Sequence, residues 1–210
     1  MRRRSPRAAA PRTAAAYTTH LDAFLRRWGR RAYRRPPLLR TLLTLIPSPA
    51  SILDLGCGAG QDVRDLHTRR YRVVGLDRTW ALLRYARRRS RRAPLVQGDM
   101  SRLPFRARSF DAVWAAASLI HLPKPAVRPL LQDLRRYVAP GGLLAATVAQ
   151  GRRAGFLGRG WIPGRYFARW NKDELARVVR RAGWDLLELT TVSHRERKGR
   201  WLNLIARRAS

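Results

Sequence analysis

The stretch 51–62, Ser-Ile-Leu-Asp-Leu-Gly-Cys-Gly-Ala-Gly-Gln-Asp, constrains the fold more than any other. Ile52-Leu53 is a short apolar run that reads as a buried strand; Gly56, Gly58 and Gly60 break it, and a helical pattern follows. Strand, glycine turn, helix is an α/β arrangement that brings backbone close to a nucleotide-like ligand. Glycine permits positive φ and keeps a Cβ out of the ligand's path. The helix start offers unpaired N–H groups. Gly56-x-Gly58-x-Gly60 leaves one residue between its second and third glycines, where the dinucleotide fingerprint has two. Asp54, two places before the first glycine, would repel a pyrophosphate. Both features point away from a dinucleotide and towards a ligand that carries positive charge.

Later segments repeat the pattern. Tyr71-Arg72-Val73-Val74-Gly75-Leu76-Asp77 reads as a second strand ending in an acid, 17 residues beyond Gly60. That interval holds one helix (to about residue 68) plus one strand. A strand–helix–strand crossover then puts Asp77 at the carboxyl edge of the neighbouring strand. A carboxylate there can accept both hydroxyls of a ribose, or can simply face a helix N-terminus. Residues 94–100 form a third short strand ending Gly98-Asp99-Met100, after a helix over 82–92 with a basic end. A fourth strand and its loop run from Ser109 to Pro123. A helix over 127–138 closes at Ala139-Pro140-Gly141-Gly142, and a fifth strand spans 143–148. Asn171 is placed to cap a helix with acids in its first turn and with Leu175, Val178, Val179 and Ala182 on its buried face. Residues 184–189 and 200–206 read as two final strands around a polar, basic turn at 194–199.

The string Ile52-Leu53-Asp54-Leu55-Gly56-Cys57-Gly58-Ala59-Gly60 resembles motif I of class I S-adenosylmethionine (SAM) dependent methyltransferases, of the small single-domain type 11-like kind. The resemblance extends over about 38–207. It implies a Rossmann-like α/β fold: a mostly parallel seven-stranded sheet, helices on both faces and a C-terminal antiparallel hairpin. It also implies SAM as cofactor, contacted by Asp54, Gly56, Cys57, Gly58, Gly60, Asp77, Arg78, Asp99, Met100 and Ala115. Asp54 would serve the cationic amino-acid end, Asp77 the ribose, and Asp99 with Met100 the adenine. Trp80 would flank the adenine or pack in the core. His121 is the candidate general base, its ordinary pKa lying near neutral, or else a loop residue that shapes the pocket. Tyr17 is a second catalytic candidate. Neither a metal-ligand cluster nor a Ser/His/Asp signature nor a P-loop is visible. Ala115-Ala116-Ala117-Ser118 stands where amino-methylating nucleic-acid enzymes commonly have an Asn/Asp-Pro-Pro-aromatic string. Cys57, the only cysteine, lies inside the glycine turn. Both points argue against methylation of a base amino group or of cytosine C5.

Two segments bear on the acceptor. Residues 17–46 read as a helical cap: an amphipathic helix with Leu21, Phe24, Leu25 and Trp28 on one face up to the Pro36-Pro37 stop, then a short helix over 38–46. Residues 150–170 form an insert rich in glycine, arginine and aromatics, as covering or mobile segments often are. Trp161, Tyr166 and His20 are the substrate candidates. The insert suits a nucleotide held by charge and stacking, an aromatic or lipid-like small molecule, or a plain lid.

The charge leaves the partner open. The chain has 210 residues, enough for one domain with a sizeable core, and a formal net charge of +32. Only Lys124, Lys172 and Lys198 are lysine among its 45 basic residues. Such a surface attracts polyanions whether or not one is the partner. The acceptor is therefore read as a small molecule, with RNA, in particular tRNA, as the alternative; a SAM-binding regulator without catalysis is the third reading. Residues 1–16, basic and without acids, read as a disordered arm preceding a methyltransferase domain at 17–210. A single cysteine fits a reducing, cytoplasmic setting, with organellar import as the alternative. No apolar run approaches the roughly 20 residues that span a bilayer.

Overall fold

A computed structural model describes residues 9–29, 33–194 and 197–209. In chain order the elements are α1 (Ala9–Thr19), α2 (Leu21–Phe24) running into a π-helical turn (Leu25–Gly29), α3 (Pro37–Leu45), β1 (Ser51–Leu55), α4 (Gln61–Thr68), β2 (Arg72–Asp77), α5 (Trp80–Arg89), β3 (Leu95–Gln97), β4 (Phe110–Ala116), α6 (Lys124–Tyr137), β5 (Val138–Ala149), β6 (Ala154–Phe156), β7 (Tyr166–Ala168), α7 (Lys172–Arg181), β8 (Trp184–His194) and β9 (Arg197–Arg208).

Seven strands form one sheet in the order β3-β2-β1-β4-β5-β9-β8. β1 pairs in parallel with β2 on one side and with β4 on the other. β9 is antiparallel to both of its neighbours. The expected mixed sheet with a closing antiparallel hairpin is therefore present. Period-two alternation splits the core into two layers. Leu53, Leu55, Val113, Ala115 and Leu144 pack on one face, beneath Leu131 and Leu134 of α6 and Val179 of α7. Ile52, Val73, Ala112, Trp114 and Ala145 pack on the other, beneath Leu39 and Leu42 of α3 and Val63 and Leu66 of α4. Buried on both faces, the central strands show apolar runs rather than alternation.

The ends of α7 follow the sequence. Asn171 accepts from the Asp173 N–H at 2.9 Å, and Glu174 completes a capping box. Asn171→Ala is expected to destabilise the protein by about 1 kcal/mol, read as a lower midpoint in urea at an unchanged slope.

Three expectations about elements are corrected. Residues 9–16 are helical, not a disordered arm; residues 1–8 and the centre of the basic turn at 195–196 lie outside the described residues. The helix read over 17–35 is broken after Thr19, and 33–36 are irregular. Gly141 and Gly142 do not precede the fifth strand. They belong to an irregularity within β5, whose register against β4 shifts between Phe110 and Ala112.

Candidate active site

The strand order reverses between β1 and β4, which leaves a crevice at the carboxyl ends of the parallel strands. A cavity of about 620 Å³ fills it. Its floor is the turn after β1. Gly56 has φ +83°, and a Cβ there would lie 2.4 Å from Cβ of Ser118 in the β4 loop. Glycine is thus required for the two loops to meet. Gly60, at φ +71°, would meet Cβ of Ala86 at 2.8 Å. It holds α4 close to α5 and is not in the cavity wall.

The cofactor-side acids converge. Asp54, Asp62, Asp77 and Asp99 all line the cavity. Asp54 is only 2% exposed. Burial raises its carboxyl well above the usual range, and the charges of Asp62 and Asp77 add to the rise. The Asp77 carboxylate accepts from Gly58 N–H at 2.9 Å and from Thr79 N–H at 2.7 Å. Burial nevertheless pushes its pKa up. Asp62 accepts from Trp114 Nε1 and from the Tyr33 hydroxyl, both at 2.7 Å. At Asp99 burial is outweighed by hydrogen bonds from Ser101 and the Arg78 guanidinium, and the pKa falls. This wall suits a ligand that brings positive charge to Asp54.

The opposite wall is built by α1, the π-helical turn and the 150–170 insert, in which β6 and β7 form an antiparallel hairpin. Thr13 Oγ1 accepts from the Tyr166 N–H at 2.9 Å and ties α1 to that hairpin. Tyr17 and His121 meet at 2.9 Å, hydroxyl to Nε2. His121 Nδ1 lies 2.8 Å from the Tyr166 carbonyl oxygen, which can only accept, so Nδ1 carries the proton. Burial lowers the His121 pKa to about 4. The ring is therefore neutral, and Nε2 accepts from Tyr17. Phe24 stacks on Trp161 at 6.1 Å between ring centres.

Of the expected site residues, Tyr17, Asp54, Gly56, Cys57, Gly58, Asp77, Arg78, Asp99, Met100, His121 and Trp161 line this one cavity. Ala115, Gly60, His20 and Tyr166 are not among its lining residues. Ala115 is fully buried in the core, while the next two residues, Ala116 and Ala117, form the wall. Ala117 has a left-handed φ of +57°, as strained backbone at a functional site often does. The Tyr166 ring packs on Phe156 instead, at 5.4 Å. Trp80 is 58% exposed. Sequence reasoning missed Thr13, Arg27, Arg165, Phe167 and Arg169 as wall residues. For three of them the signal was parity: 165, 167 and 169 alternate with 166 and 168 along β7 and its flanks. Among the described residues, no group of three or more His, Cys, Asp or Glu side chains is placed to hold a metal ion. No described helix is long and apolar enough to cross a membrane.

Residues 52–142 match the family model for a methyltransferase domain. The fold is shared with solved SAM-dependent methyltransferases. The chain is 31% identical over 143 residues to malonyl-[acyl-carrier protein] O-methyltransferase of Legionella pneumophila, covering 63% of this chain and 48% of that one. It is 36% identical over 118 residues to trans-aconitate 2-methyltransferase of an Azoarcus species, covering 54% and 46%. The chain thus spans about half the length of these relatives. Among solved structures, 1,6-didemethyltoxoflavin-N1-methyltransferase of Burkholderia thailandensis, bound to 1,6-didemethyltoxoflavin and S-adenosylhomocysteine, superposes with a TM-score of 0.81. It is 21% identical, covering 100% of this chain and 93% of that one.

Proposed function

We propose that the protein is a SAM-dependent methyltransferase acting on a small molecule enclosed between the strand ends and the α1–hairpin wall. The observation that carries this reading is the arrival of Asp54, Asp77 and Asp99, from three successive strand ends, in one cavity that also has a second, separately built wall. The residues fit the cofactor. Asp54, buried and destabilised as an anion, gains from a cation beside it; Asp77 offers its remaining lone pairs to ribose hydroxyls, and Asp99 with Met100 borders the adenine. Bound SAM supplies an already activated sulfonium methyl. The chain's own contribution is then alignment and exclusion of water. A base with a pKa near 4 is too weak to strip an alcohol or amine at neutral pH. His121 accordingly acts by holding Tyr17, and with it α1, over the cavity. Of the relatives named above, trans-aconitate 2-methyltransferase is named for a small acid, which supports a small acceptor; the other is named for a malonyl group on an acyl-carrier protein. A two-walled cavity of about 620 Å³ suits a small acceptor better than an RNA strand.

The test is transfer of labelled methyl from SAM into a small-molecule extract and, in parallel, into total RNA. Label is expected in the small-molecule fraction alone. Label in RNA would replace the acceptor class with nucleic acid. Absence of any thermal shift with millimolar S-adenosylhomocysteine (SAH) would sink the cofactor assignment.

A further inference from the structure

The cavity is electrically divided. Its carboxylates lie on the strand-end wall, whereas Arg165 and Arg169 flank β7 and Arg27 lies in the π-helical turn facing it. Arg165 is the telling member. It is 7% exposed, and its Nε is enclosed without a hydrogen-bond partner. Among the described residues it forms no ion pair with a carboxylate. Around it lie the Tyr17 side chain, which favours its charge, and two aromatic faces, with Cζ 4.7 Å from the Trp161 ring centre and 5.4 Å from that of Phe167. Arg27 Cζ lies over the same Trp161 ring at 5.3 Å, and Arg169 over the same Phe167 ring at 4.9 Å. Burial and the charges of Arg27 and Arg169 both oppose the charge on Arg165.

Arginine does not give up its proton, so a buried guanidinium among like charges remains a cation in need of an anion. Aromatic faces offset part of this; they do not neutralise it. The acids on the far wall belong to the cofactor half. What remains to pair with Arg165 is the acceptor itself. The rings of Trp161, Phe24 and Phe167 beside it provide flat apolar surface.

Resting on the methyltransferase reading, we infer that the acceptor is a small molecule with a flat apolar body and a carboxylate, the body against Trp161 and the carboxylate paired with Arg165. The planar fork of the guanidinium matches a carboxylate in two hydrogen bonds. The charges of the two halves then pair separately, the cationic end of the cofactor with Asp54 and the anionic acceptor with Arg165.

The experiment is calorimetric titration of SAH-saturated protein with benzoate, trans-cinnamate and indole-3-acetate, each against its uncharged amide. The acids are expected to bind at least about tenfold tighter than the amides, the effect of one charge-assisted hydrogen bond. Arg165→Met should bring the acids down to the level of the amides, Arg165→Lys should keep part of the preference, and both should bind SAH as the wild type does, which also shows that they fold. Amides that match the acids, acids that do not bind at millimolar concentration, or an Arg165→Met variant with unchanged preference would each overturn the inference. Displacement of cinnamate by inorganic phosphate as effective as by benzoate would overturn the choice of carboxylate. Failure of SAH to bind the wild-type protein is a separate result, which removes the methyltransferase reading and this inference with it.

Discussion

Asp54→Asn is expected to weaken SAH binding by at least about tenfold and, in the same protein, to raise the stability of the ligand-free fold. The two effects have one cause. Asp54 is enclosed at the end of β1 with Asp62 and Asp77 nearby, and burial together with these charges disfavours its carboxylate. Its folded pKa is raised, so its favourable contribution is complete only below the unfolded value of about 3.9. That contribution is lost as pH rises through the folded pKa. The ligand-free wild type should therefore lose stability with rising pH above about 4 on this residue's account. Asn has no charge to desolvate, and its variant should show a flatter profile and a higher melting point near neutrality. The cationic end of the cofactor reverses the balance: it stabilises the carboxylate and gains little from the amide. At a ligand concentration 100 times the wild-type Kd, binding stabilises the fold by about 2.7 kcal/mol; a tenfold weaker variant would keep about 1.4 kcal/mol. Melting curves with and without SAH, from pH 5 to 8, measure both quantities. A variant with full SAH stabilisation would remove Asp54 from the site. Such an opposed pair of effects is what a stability–function trade-off predicts for a functional buried charge.

The cofactor half was legible because its signals are local. A strand end, a glycine turn and an acid occupy fixed sequence positions, and the crossover rule carries them to one sheet edge. Ala115 shows the limit. β4 is apolar on both faces, so no alternation reveals which alanine turns outward, and the wall falls to Ala116 and Ala117. The acceptor half depends on contacts between segments some 150 positions apart, such as Thr13 with Tyr166, and no local pattern encodes these. Residues 9–16 show a conflict of signals. Charge density and lack of acids suggested disorder, while the alanines that favour helix prevailed once Thr13 and Tyr17 had partners on the insert and the β4 loop. Tyr166 was chosen for its ring, yet its role at the site is carried by its backbone carbonyl, a group every residue has. The arginines of the insert were visible as composition; only the alternation of Arg165, Phe167 and Arg169 along β7 and its flanks distinguishes a cavity wall from a solvated surface.

Tyr17→Phe is expected to lower kcat/KM on the order of tenfold or more while leaving SAH affinity unchanged. The hydroxyl stands beside Arg165 and in a directed chain: Tyr17 donates to His121 Nε2, and His121 Nδ1–H to the Tyr166 carbonyl. Phenylalanine interrupts it, leaving the imidazole Nε2 without its donor, and removes one of the ties that hold α1 to the cavity while that of Thr13 remains. The chain also sets the pH dependence. With a folded pKa of about 4, against an ordinary value of 6.5, His121 contributes stability that is present above pH 6.5 and lost as pH falls towards 4. The wild-type pH–rate profile should accordingly show no His121 inflection near 6.5. In the phenylalanine variant the loosened wall admits water, the imidazole pKa rises, and an inflection should appear between about pH 5 and 6.5. A simple packing role for Tyr17 would lower the rate without moving that profile. A wild-type inflection near 6.5 that vanishes in His121→Gln would instead restore His121 as the general base, since only a group titrating near neutrality could then be taking a proton from the acceptor.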